Sequence, residues 1–149
     1  MHLRLLSLVF ILLCLSACQC TGRHSTLQIQ TKSGLASFKV EVVRTNADRE
    51  RGLMEREKMA WDAGMVFVFD ETAEHPFWMK NTKIPLDVIF FDEEWKVVGA
   101  IENLEPMSRA NRSIGKASRY ALEVNAGVVA KAGIAQGDKG TFNEVRPEK

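Results

Sequence analysis

The sequence predicts an α+β domain, mainly antiparallel β, in which about seven or eight strands and two short helices form a partial barrel or sandwich. Three observations predict it. Short runs with period-two alternation recur between turn-forming clusters, two runs are apolar on both faces, and helix-start signals stand in two isolated places.

Leu27 to Gln30 and Ala36 to Val43 flank the turn-like cluster Thr31-Lys32-Ser33-Gly34, and Phe38, Val40 and Val42 alternate with Lys39 and Glu41, which predicts a hairpin with one wet face. Thr45 and Asp48 open a helix that ends between Gly52 and Glu57. The Thr45 hydroxyl can accept from freed backbone N–H groups, and Asp48 sits at the positive end of the helix dipole. Gly64 to Phe69 reads as a central strand. Pro76 to Lys80 reads as a short strand, and Leu86 to Asp92 with Trp95 to Ile101 as a hairpin around Glu93-Glu94. Glu102 to Ser118 has no period. Arg119 to Asn125 returns as a strand, Asn125 caps a helix over Ala126 to Ala132 with Gly133 at its end, and Gly137-Asp138 turns into a last strand near Thr141 to Val145.

Ahead of these elements the chain divides into a leader over 1–17 and a polar tether over 18–26, leaving a single β-rich domain over 27–149. The leader carries Arg4, an apolar run from Leu5 to Leu15 and small residues before a cysteine, which is the layout of a secretory signal; it is too short to span a bilayer. Leu15-Ser16-Ala17-Cys18 resembles a bacterial lipobox, so Cys18 is expected to carry lipid and anchor the protein in a membrane. Gln19 is not the aspartate that favours inner-membrane retention, so the expected address is the outer membrane, facing the periplasm. An ordinary signal cut near Ala17 is the alternative. Of three cysteines, Cys14 leaves with the leader and Cys18 is acylated, so the domain must fold without an internal disulfide. Loss of Arg4 from 20 basic residues balances the remainder against 19 acidic ones, which argues against nucleic acid as a partner.

Four pieces occur in order: Gly52-Leu53-Met54-x-Arg56; Gly64-Met65-x-Phe67-Val68-Phe69; Phe77-Trp78-Met79-Lys80-Asn81-Thr82-x-Ile84-Pro85-Leu86-Asp87; and Leu122 to Gly127, followed by Gly137-Asp138. From about Leu27 to Val145 the chain resembles the domain of unknown function 192 family. The resemblance implies a small, β-rich, often exported fold and no established activity. Trp95 departs from the family's usual form, which has a glycine-like turn residue there, and the basic stretch after Met107 falls outside the pattern.

The candidate site residues are Arg56, Trp78, Lys80, Asn81, Thr82, Asp87 and Glu123. Strand alternation puts Trp78, Lys80 and Thr82 on one side, an aromatic ring beside a cation and a hydroxyl; the plainer account has Trp78 in the core with Lys80 reaching to water along it. Asp87 and Glu123 each interrupt an apolar strand. An unpaired charge there costs several kcal/mol or shifts its pKa, so Arg56 or Lys80 is the expected partner of Asp87. If the two carboxyls meet in a cleft beside Arg56 and Lys80 they suit acid–base chemistry or polar-ligand binding, and if not they fix strand register.

Other sites find little support. Of the histidines, His2 falls in the leader and His24 in the tether, leaving at most His75 for a nucleophile–base pair, and the domain has no cysteine, which argues against a Ser-His-Asp triad. No Cys or His spacing suits a metal, Asp92-Glu93-Glu94 reads as a solvated turn, and no phosphate-loop motif occurs, so no cofactor is expected. Arg109, Arg112, Lys116 and Arg119 read as a solvated loop, with anionic head groups as the alternative. Met54, Met59, Met65 and Met79 read as core filler. The sequence therefore favours a non-enzymatic envelope lipoprotein that binds a small polar ligand or a protein partner around Trp78 to Asp87. A hydrolase-like enzyme using Asp87 and Glu123, and a purely structural or assembly factor, remain as alternatives.

Overall fold

The computed structural model describes residues 24–146. The leader, Cys18 and most of the tether lie outside the described residues. Strand β1 (Ser25–Thr31) begins inside the stretch assigned to the tether and pairs with β2 (Gly34–Val43) across the turn at Ser33, in the expected hairpin. Helix α1 (Asn46–Arg51) follows. Thr45 caps it by accepting from the Asp48 N–H, and Gly52 ends it with a positive φ of 45° and ψ of −129°. β3 (Ala63–Ala73) then returns parallel to β2, so α1 and its loop form the crossover that a parallel pair requires.

Five more elements complete the chain: β4 (Leu86–Phe91), β5 (Val97–Leu104), β6 (Ser118–Asn125), the short helix α2 (Val128–Ala132) and β7 (Lys139–Asn143). The seven strands form one sheet in the order β5-β4-β6-β3-β2-β1-β7, antiparallel at every described pair except β2–β3. The sheet curls until its ends approach. The Val97 N–H donates to the Asp138 carbonyl at 2.9 Å and the Gly140 N–H to the Trp95 carbonyl at 2.7 Å, which protects both edges. The result is a half-barrel with two short helices, as the sequence predicts.

The curl divides the core. Inside it, Leu27, Ile29, Phe38, Val66, Ile89, Phe91, Leu122 and Val124 pack together, plugged by Val128 and Val129 of α2. Outside it, Met65, Phe67, Val88, Phe90 and Ala121 pack under Leu53, Phe77 and Met79 from the loops. β4 is buried throughout because it is covered on both sides, and apart from Asp87 it is apolar; full burial of Phe90 and Phe91 contributes about 2 kcal/mol each relative to exposure. Trp95 adopts φ 61°, the conformation that makes glycine usual at such a turn, and is held by stacking on Tyr120 at 4.0 Å.

Two local expectations are corrected. Pro76 to Lys80 is not a strand: Phe77 makes an isolated bridge to Arg112, the Met79 N–H donates to Ser108, and the chain turns at Asn81 with φ 54°. Asn125 does not cap α2. Its amide donates to the carbonyls of Met59 and Ala60 at 3.0 Å, and Gly127 occupies the cap position with no side chain to offer. The last strand also starts earlier, at Lys139.

Candidate functional site

Asp87 is completely buried inside the curl, and its partners are neither Arg56 nor Lys80. Its Oδ1 accepts from the Asn103 N–H at 2.8 Å and its Oδ2 from the Val129 N–H at 2.9 Å. The second bond satisfies a freed donor of the first turn of α2, the service Asn125 was expected to perform. Asp87 thus ties together β4, β5 and α2. Lys80 lies elsewhere, its ammonium 5.2 Å from the centre of the Trp78 ring.

Glu123 faces the other way. In the β4–β6 register Asp87 stands opposite Val124 and Glu123 opposite Val88, so alternation sends the two carboxyls to opposite faces of the sheet. The expected convergence of Asp87 and Glu123 with Arg56 and Lys80 in one cleft is therefore corrected. Glu123 is only 5% exposed, and its Oε2 has no hydrogen-bond partner. Burial pushes its pKa up to about 8, opposed by the charge of Arg56. Arg56 is itself committed elsewhere, with a two-pronged pair to Glu41 at 2.6 Å for each bond.

Glu123 lines a cleft of about 590 Å³ on the outer face of the sheet. Phe67 and Phe69 enter from β3, Gly52, Leu53 and Met54 follow α1, and Phe77, Trp78 and Thr82 come from the loop before β4. Phe77 meets Phe67 edge-on at 5.2 Å, and His75 stacks on Phe69 at 3.5 Å. Gly52 packs over the carboxyl: a Cβ there would lie in van der Waals contact, 3.5 Å from the Glu123 Oε2 and 3.4 Å from the Phe67 ring. Arg49, Arg51, Glu50, Asp70 and Glu71 contribute charge to the lining.

Of the seven candidates, the cleft gathers Trp78, Thr82 and Glu123. Trp78 is 40% exposed, whereas Thr82 is buried and its hydroxyl donates to the Lys80 carbonyl at 3.3 Å, so the two do not project together as strand alternation implied. Lys80, Asn81 and Asp87 are not in its lining, and Arg56 lines a neighbouring hollow with Glu41 and Met65. Among the described residues no group of three or more His, Cys, Asp or Glu is placed to hold a metal ion.

The sequence pattern of the domain of unknown function 192 family, described as an Uncharacterized ACR, matches residues 27–142. The chain belongs to this family. Two solved structures are similar to it. A proposed transcription regulator from Sinorhizobium meliloti 1021 is 36% identical, with a TM-score of 0.77 over 80% of this chain and 94% of that one. A protein of unknown function from Novosphingobium aromaticivorans DSM 12444 is 33% identical, with a TM-score of 0.75 over 78% of this chain and 83% of that one. Comparison with curated proteins finds no match.

The pieces that carry the family resemblance are far apart in sequence yet meet at the cleft: Gly52 to Met54, Phe67 with Phe69, Phe77 with Trp78 and Thr82, and Glu123. Sequence reasoning missed Phe67, Phe69 and His75 as site residues because a phenylalanine in a central strand carries no mark of which sheet face is open. Gly52 was legible as a helix stop and as the first residue of a family piece, but not as part of a cleft.

Proposed function

We propose that this member of the family is a binding domain that takes a small polar ligand in the cleft floored by Glu123. One observation carries the reading: a buried carboxyl with an unpartnered oxygen lies at an aromatic-lined opening of about 590 Å³, a size that suits a small molecule. A polar group buried without a partner costs free energy, and a ligand that supplies the partner recovers it. Phe69, Phe77 and Trp78 offer ring faces and edges to the ligand's apolar parts.

Export and anchoring belong to the same proposal. The Leu15-to-Cys18 lipobox supports a lipoprotein held on the outer membrane facing the periplasm, where a short tether leaves the domain close to envelope metabolites. The near-neutral charge of +1 speaks against the nucleic-acid contacts that the description of the Sinorhizobium protein would suggest. A hydrolase using Asp87 with Glu123 is not favoured, since Asp87 is spent on backbone donors across the sheet.

The test compares Trp78→Ala and Glu123→Gln with the parent protein against a panel of envelope metabolites, amines and glycans, with thermal stability measured alongside. Both variants should stay folded and lose the ligand that the parent binds. A parent that binds nothing in the panel, or variants that bind as the parent does, would sink the reading. Separately, Cys18→Ser should abolish lipid labelling, and labelling that persists refutes the anchor.

A further inference from the structure

We propose that the ligand of this cleft is an organic cation, an amine-bearing or quaternary ammonium compound whose charged nitrogen sits against the Glu123 carboxylate among the rings of Phe67 and Phe77. The inference rests on the ligand-binding reading above and adds the sign of the ligand's charge.

Three features of the cleft carry it. First, Glu123 is the buried polar group at the floor, and its Oε2 is unpartnered. Arg56 is the cation whose charge reaches it, yet Arg56 is already neutralised by both oxygens of Glu41. Among the described residues, the Glu123 Oε2 thus has no cation bonded to it. Second, the surround is aromatic: Phe67 and Phe77 line the cleft, while Phe69 already carries His75 stacked at 3.5 Å and the Arg49 guanidinium 5.9 Å from its centre. Aromatic rings attract a desolvated cation within about 6 Å, an attraction a neutral group of the same shape lacks. Third, the charged lining is acidic in balance. Glu50, Asp70, Glu71 and Glu123 stand against Arg49 and Arg51, and Arg49 is held by Asp70 at 2.9 Å and by the Val68 carbonyl at 2.8 Å. His75, the remaining titratable group at the cleft, is stacked on Phe69 with its Nε2 3.3 Å from the Glu71 carbonyl.

The proton balance follows. Without ligand, Glu123 holds its proton at neutral pH, since burial raises its pKa to about 8. An arriving cation favours the carboxylate, so the proton leaves to solvent as the ion pair forms and no bond to carbon is made or broken. Affinity therefore rises with pH until the free carboxyl is itself ionised. A neutral ligand that accepts a hydrogen bond from the protonated carboxyl has the opposite dependence.

The experiment uses choline, whose charge is independent of pH, and dimethylbutanol, the neutral alcohol with carbon in place of choline's nitrogen; cadaverine serves as a primary-amine probe. Binding is followed by calorimetry and by NMR of the cleft rings. The expected result is that choline or cadaverine binds at least about tenfold more tightly than dimethylbutanol, with choline affinity rising about tenfold per unit between about pH 6 and about pH 8 and then levelling. Calorimetry of the bound cation in two buffers of different ionisation enthalpy should report release of close to one proton at neutral pH. In Glu123→Gln, which keeps the shape of the protonated carboxyl, affinity should fall at least about tenfold and the slope should vanish. Dimethylbutanol binding as tightly as choline, or a slope unchanged in Glu123→Gln, overturns the charge inference while leaving a ligand site in place. So does a neutral ligand from the metabolite and glycan panel when both cations fail. A parent protein that binds none of these compounds overturns both readings.

Discussion

Asp87 and Glu123 stand on neighbouring strands, one register step apart, with their carboxyls on opposite faces of the sheet. The two acids therefore do different work. Asp87 is saturated by the backbone of Asn103 and Val129, and Glu123 is left with an oxygen that nothing in the described protein satisfies. One ties three elements of the fold together and the other lines the cleft.

Replacing Asp87 with alanine should destabilise the domain by about 3 kcal/mol, because two buried N–H donors lose a charged acceptor at once. Asp87→Asn should cost less, about 2 kcal/mol, since the amide can accept only through its oxygen and turns an NH₂ toward the second donor. Urea unfolding measures both. The cleft lies across the sheet, so a folded Asp87→Asn protein should bind its ligand as the parent does; loss of binding without loss of stability would contradict this division.

Glu123 makes stability depend on pH in the direction opposite to a salt-bridged acid. The folded carboxyl holds its proton up to about 8, against 4.5 for the ordinary value that the unfolded chain should show. Between those limits the native state binds more protons, so this contribution is fully present below about pH 4.5 and is lost as pH rises through about 8, by at most about 1.4 kcal/mol per unit. Chemical unfolding across this range should show the parent losing stability relative to Glu123→Gln, whose side chain cannot ionise. Parallel pH curves for the two proteins would contradict it.

Arg56 acts on Glu123 through its charge. Arg56→Gln should therefore raise the Glu123 pKa further, seen as an upward shift in a carboxyl-carbon NMR titration. Removal of Glu41 should do the reverse, because Arg56 would then be free of its two-pronged partner and could turn its charge to Glu123. An unmoved titration in both variants would mean that desolvation alone sets the value.

Gly64 is required by a close approach. A Cβ there would lie 2.6 Å from the Glu123 carbonyl oxygen, 3.0 Å from Leu122 Cδ1 and 3.1 Å from Val124 Cγ1. Gly64→Ala should destabilise by about 2 kcal/mol or more, since β3 and β6 must separate to admit the methyl group. Thermal unfolding measures it, and the displaced β6 should also weaken ligand binding through Glu123.

The hairpins, the doubly apolar strands and the Thr45 cap were legible because each is a local matter, written in the alternation of Phe38, Val40 and Val42 or in the spacing from Thr45 to Asp48. The segment from Pro76 to Lys80 misled for the same reason. Its pattern suits a strand, but its backbone groups bond to Ser108 and Arg112 in a distant loop, which no local signal announces. Asp87 misled because a charge in an apolar run says that a partner is needed without saying whether it is a side chain such as Arg56 or a backbone N–H.

The sequence by itself determined that the domain is α+β and mainly antiparallel β, with two short helices, and that Asp87 and Glu123 each need an explanation. These follow from residue type, period and count. Only the tertiary structure decided which acid is held by backbone donors and which lines the cleft with an unpartnered oxygen, because that depends on the register of β6 against β4 and β3. A shift of one residue would exchange the faces of every side chain on the strand. It also decided that Gly52, Phe69 and Trp78 meet above Glu123, since three loops and two strands converge there through packing between residues remote in the chain.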